Sequence, residues 1–103
     1  MDEYYIEAGV HRALAFRENG IRVIPAMLFV PGSRPSQIWV RLEQLHSYRL
    51  TVSRSDPRHA YSQLELALGT ALGRARVPMI QLQPLGLPGQ PPTIPLDQVV
   101  IVA

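Results

Sequence analysis

The chain has 103 residues, no cysteine and a formal net charge of +2. That length holds one small domain, and the missing cysteines exclude a disulfide framework and a thiolate metal site. Hydrophobic residues make up 47% and charged ones 17%, the balance of a folded chain rather than a disordered one.

The same composition narrows the partners. No apolar run reaches the roughly 18–20 residues that span a bilayer, so no membrane partner is expected. The start, MDEYYIEAG, carries two acids where a signal peptide needs bases, and the chain reads as cytoplasmic. All ten basic residues are arginine. Between residues 31 and 76, Arg34, Arg41, Arg49, Arg54, Arg58, Arg74 and Arg76 stand against Glu43, Asp56 and Glu65. Such an excess attracts phosphate or nucleic acid. No lysine cluster and no base-stacking aromatic motif goes with it. The plainer reading is a solvated face, and nucleic acid is not expected as a partner.

Residues 2 to 18 predict a helix. Tyr5, Ile6, Val10, Ala13, Leu14 and Phe16 fall mostly at helical spacings, and Asp2 and Glu3 suit the first turn. Asn19-Gly20 is a C-terminal stop. Residues 21 to 29 predict a strand that is apolar on both faces except at Arg22, the pattern of a sheet covered on both sides. Pro25 lacks an amide hydrogen and suits an edge or a strand start. A turn-rich loop, VPGSRPS, follows. Residues 36 to 46 predict a short helix opened by Pro35-Ser36.

YRLTV, 48 to 52, predicts a second strand. Asp56 and Pro57 are a cap and a first helical residue for a helix over 57 to 73, whose period is carried by Ala60, Leu64, Ala67, Leu68, Ala71 and Leu72. Residues 77 to 103 hold most of the prolines and predict an extended tail or linker, with a short strand at VVIVA. The expected organisation is an α/β domain over 1–76 and a Pro-rich tail over 77–103. The two strands, 21–29 and 48–52, are expected to pair in parallel, with helices on both faces.

Candidate site residues are few. His11, His46 and His59 match no metal-ligand spacing and read as surface or boundary residues. Ser33 and Ser36 lack the pattern of a nucleophile elbow. A strand apolar on both faces in so thin a sheet leaves an edge open for association. The loop at its end, with Pro31, Gly32, Arg34 and Trp39, is the candidate contact region. Trp39 reads equally as an exposed contact or as cover for the sheet edge from inside.

The stretch from Glu7 to Leu68 resembles the C-terminal half of a bacterial TIR (Toll/interleukin-1 receptor) domain, over about two thirds of the chain. Val23 to Leu28 stands for that family's apolar strand, and Pro31-Gly32 for the loop behind it. Tyr48 to Val52 stands for its next strand, and Asp56 to Leu68 for its last helix. The resemblance implies a partial flavodoxin-like, three-layer unit with a short parallel sheet. It implies two roles, homotypic docking in signalling or defence and hydrolysis of NAD. The family's catalytic glutamate position falls on Gly9, and Glu7 is the nearest carboxylate, so Glu7 is the candidate catalytic residue; its plainer reading is a solvated helix residue. The first strand and loops of the family would lie before Met1. The expectation is therefore an interaction module that is catalytically incomplete, with no cofactor, NAD as substrate if active, and a second copy or another TIR-like domain as partner. The alternatives are an NAD-hydrolysing domain completed by a missing N-terminal half, and a stand-alone α/β domain of unknown function.

Overall fold

The computed structural model describes residues 1–71 and 79–103. Strand β1 (Tyr4–Ala8) leads into helix α1 (Val10–Glu18), followed by β2 (Val23–Leu28), β3 (Ser36–Arg41), β4 (Leu45–Ser47) and β5 (Thr51–Ser53). Helix α2 (Pro57–Ala71) comes next, then β6 (Ile80–Pro84), β7 (Ile94–Pro95) and β8 (Val100–Val102). The fold is α/β, with a mixed sheet. Six strands run in the order β3-β2-β6-β1-β4-β7, and β5 and β8 form a separate parallel pair.

Among the described residues, the sheet is covered on one face. Ile6, Ile24, Ala26, Val40, Leu45 and Leu82 alternate inward and are fully buried against α1, which contributes Val10, Ala13 and Leu14. Their neighbours on each strand face the other way, as a period of two requires. Across that other face the register sets Pro25 beside Trp39, Met27 beside both Gln37 and Gln81, and Tyr5 beside both Gln83 and His46. Helix α2 packs chiefly on α1.

Several expectations are corrected. Residues 4–8 are a strand, because YYIEA alternates and pairs with β6 on one side and β4 on the other; the helix begins only after Gly9. Residues 36–41 are a strand, the second arm of a hairpin with β2, and 42–44 are one 3₁₀ turn. The hairpin turns at Val30–Ser33, with a 3.0 Å bond from the Ser33 amide to the Val30 carbonyl and Gly32 at φ 79°, the geometry in which Pro31 and Gly32 suit a type II turn. Strands 21–29 and 48–52 do not pair in parallel. The first lies between β3 and β6 in the large sheet, and only Thr51 and Val52 of the second are strand, in the small one with β8. The sheet is neither short nor all parallel. β6, from the segment expected to be a tail, is an internal strand, its Ile80 and Leu82 buried between β2 and β1. Pro84 falls at its end, where a missing amide costs no ladder bond.

Polar contacts tie the later segments down. Arg22 grips Asp97 with two bonds of 2.9 and 2.7 Å and holds that carboxyl below its usual range. Arg17 donates to the carbonyls of Leu96 and Val99 at 2.7 and 2.9 Å. No helix among the described residues is long and apolar enough to cross a membrane.

Candidate functional site

A cleft of about 560 Å³ opens where β1 ends and the two helices meet. Its floor is the turn Glu7-Ala8-Gly9, with Val10, His11 and Arg12 from the start of α1. Its walls are Tyr48 and Arg49 from the loop before β5, and Arg58, Tyr61, Ser62 and Glu65 from α2.

Gly9 makes this arrangement. The strand must turn into the helix in a single residue, and Gly9 does so at φ 104°, where a side chain is strained. A Cβ there would also lie 3.1–3.2 Å from Ile80 of β6. The turn leaves α1 without a side-chain cap. The first intrahelical bond is from the Ala13 amide to the Gly9 carbonyl, at 2.9 Å. The amides of Val10, His11 and Arg12 therefore lack intrahelical acceptors, as at any helix start, and they stand at the cleft with the positive end of the helix dipole.

The start of α2 is different, because Asp56 caps it. The Arg58 amide donates to Asp56 Oδ1 at 2.8 Å, and the Arg58 guanidinium pairs with Oδ2 at 2.9 Å. The Arg58 side-chain bond, followed by the backbone bond, holds the Asp56 carboxyl at about 2. Arg12 and Glu65 approach to 3.8 Å. Arg49 makes no ion pair among the described residues, so its charge is open to the cleft.

His11 lies deeper, with its ring edge-on to His59 at 6.1 Å between centroids. Burial pushes its imidazole below the usual value. Asp56, 3.9 Å away, pulls the other way, and Arg58, Arg49 and His59 push it further down. Neither ring nitrogen of His11 has a hydrogen-bond partner in the described structure. A neutral imidazole among arginines is an acceptor, and it becomes one more cation when the pH falls.

The candidate residues from the sequence separate into two groups. Glu7 sits on β1, at the irregularity between Ile6 and Ala8, rather than on a helix, and it lines the cleft. Pro31, Gly32 and Arg34 lie in the exposed β2–β3 turn. β2 is antiparallel to β1, through β6, so that turn is at the opposite end of the sheet from the cleft. Trp39 lies on the solvent-facing side of β3 and is 68% exposed, so it does not cover the sheet from inside.

No sequence pattern groups His11, Arg12, Tyr48, Arg49, Arg58 and Tyr61. The signal for their convergence was the glycine between YYIEA and a helical run, the mark of a strand turning straight into a helix. Among the described residues no set of three metal-ligating side chains comes together. No protein-family model, curated protein or solved structure matches the chain.

Proposed function

We propose that this chain is a binding module whose cleft takes a phosphorylated aromatic small molecule, a nucleotide. The observation that carries the reading is the uncapped start of α1 behind Gly9, with Arg49, which has no ion pair among the described residues, beside it. Free amides at a helix start bind phosphate, and a guanidinium adds charge-assisted bonds. Tyr48 and Tyr61, both exposed on the rim, offer faces on which a base can stack. Glu7 and Glu65 are acceptors for ribose hydroxyls.

The TIR resemblance extends this reading to NAD. A carboxylate at Glu7 would then face the ribosyl carbon and stabilise its oxocarbenium-like centre as nicotinamide leaves. Calorimetric titration with NAD, ATP and inorganic phosphate tests the binding claim. Losing one charge-assisted bond of about 1.5–3 kcal/mol in Arg49→Ala should weaken nucleotide binding roughly tenfold or more. Equal affinity in parent and variant, or no binding by either, would remove the proposal. Nicotinamide release separates binding from turnover: release that disappears in Glu7→Gln makes Glu7 the working carboxylate.

A second reading rests on Trp39. An exposed tryptophan on an uncovered sheet face supports homotypic docking, the signalling or defence role that the resemblance implies.

A further inference from the structure

Helix α2 is turned the wrong way for a lone domain. Its inner side, toward α1, sets polar groups around the half-buried Leu66: His59 and Ser62 are only 2% and 6% exposed, and Gln63 bonds Glu18 and Asn19 at 2.9 Å each. Its outer side is apolar. Tyr61, Leu64 and Leu68 are 61%, 54% and 51% exposed, with Ala60 and Ala67 exposed between them. The large residues recur at spacings of three and four, which is the seam of a helix pair. An amphipathic helix ordinarily presents such a stripe to a core.

We propose that α2 forms an antiparallel seam with α2 of a second copy of this chain. The pattern is self-complementary, as an isologous two-fold contact requires. An axis between residues 62 and 63 sets Tyr61 of one copy against Leu64 of the other. The same axis brings Ala60 to Ala67, where small side chains let the backbones approach. It also brings Arg58 to the flank holding Glu65, and the symmetry repeats each pair. Arg58 and Glu65 are the charged residues that edge the stripe, and antiparallel pairing alone sets opposite signs together. Arg58, Tyr61 and Glu65 also line the cleft, so the second copy stands at its rim and narrows it. The seam itself rests on α2 alone and not on the ligand reading.

The chain has no cysteine, so introduced thiols report the contact without background. Sedimentation equilibrium across a micromolar range should give twice the 11.5 kDa chain mass for the parent. Leu64→Lys should give the monomer with unchanged far-UV circular dichroism, because Leu64 touches solvent; Ala67→Glu repeats the test at a second site. Ala60→Cys mixed with Ala67→Cys should cross-link under oxidation, and each alone should do so far less. A parent that stays monomeric overturns the proposal. So does a dimer that survives both Leu64→Lys and Ala67→Glu, or one in which each cysteine variant links to itself as readily as to the other. Nucleotide titration of the Leu64→Lys monomer keeps this result apart from the cleft reading, since binding there persists whether or not the seam exists.

Discussion

Helices α1 and α2 show the same kind of periodicity and use it in opposite directions. In α1, Val10, Ala13 and Leu14 are buried in the core with the sheet, and Ala15 is buried outside that cluster. In α2, the buried positions among the described side chains are His59 and Ser62, while Tyr61, Leu64 and Leu68 meet solvent. The contact between them therefore carries a polar cluster. Glu18 at the end of α1 receives Arg54 and Gln63 at 2.7 and 2.9 Å. His59 Nε2 lies 2.6 Å from Glu18 Oε1, the oxygen that accepts from Gln63, outside hydrogen-bond geometry. A stripe of apolar residues shows that a helix has two sides. Which side faces inward depends on what the neighbouring element offers.

The sharpest way to break this comparison is to truncate one leucine on each helix. Leu14→Ala removes a fully buried side chain between sheet and helix and should cost about 2–5 kcal/mol. Leu64→Ala, measured by urea unfolding at dilutions where copies do not meet, should stay within about 0.5 kcal/mol. Equal losses would mean that α2 buries its stripe within its own chain.

Gly9→Ala comes next. It forces a side chain into φ 104° and against Ile80, and should cost about 1–3 kcal/mol through backbone strain alone. The same change at Gly20, where φ is positive but no atom lies within 4 Å of the new Cβ, meets strain without collision. The difference between the two midpoints isolates the close approach of β6 to the turn that opens the cleft.

The polar joint predicts a pH signature. Burial pushes the Glu18 carboxyl up, but contacts from Arg54, His59 and Gln63 outweigh it and hold it below its usual value. A carboxyl lowered in the folded state binds fewer protons there than in the unfolded one. Its contribution is complete above the ordinary value of 4.5 and fades as the pH falls through the folded value. Glu18→Gln should lower stability at neutral pH by about 1–3 kcal/mol and flatten the decline below 4.5. His11 acts in a higher window. Its lowered value means that the unfolded chain takes up the proton first, so stability declines as the pH falls below about 6.5. His11→Gln should remove that part of the slope. A profile unchanged below 4.5 in Glu18→Gln would show that the α1–α2 joint is not held by this carboxylate.

The sequence carried the α/β class, the strand at 23–28, the Pro31-Gly32 turn and the Asp56 cap, because each is written in local chemistry. It misled where short segments have two readings. YYIEA fits a helical face as well as a strand of period two, and only pairing with β6 and β4 decides. SQIWVR likewise turns on its partner, β2. Prolines at 78, 84, 88, 91, 92 and 95 masked β6, an internal strand that begins after the first of them and ends on the second. The cleft was least legible. Its residues come from the start of the chain and from the stretch between Tyr48 and Glu65, and nothing local to Arg49 or Tyr61 announces that they meet.

The smallest expected effect is at Trp39, and it sharpens the comparison between the two exposed apolar features. Trp39 stands on β3, an edge strand, opposite Pro25, and most of its surface meets solvent. Its removal takes nothing from the core, so Trp39→Ala should shift unfolding by no more than about 0.5 kcal/mol. If α2 carries the contact between copies, the same variant should sediment like the parent while Leu64→Lys does not. If the open sheet face carries it, Trp39→Ala should act as truncation of a buried anchor does, weakening association by about 2 kcal/mol, some thirtyfold, with the fold intact. The variant thus assigns association to one face or the other by a single measured mass. A loss of monomer stability well above 0.5 kcal/mol would contradict both outcomes, because it would require Trp39 to be covered within its own chain.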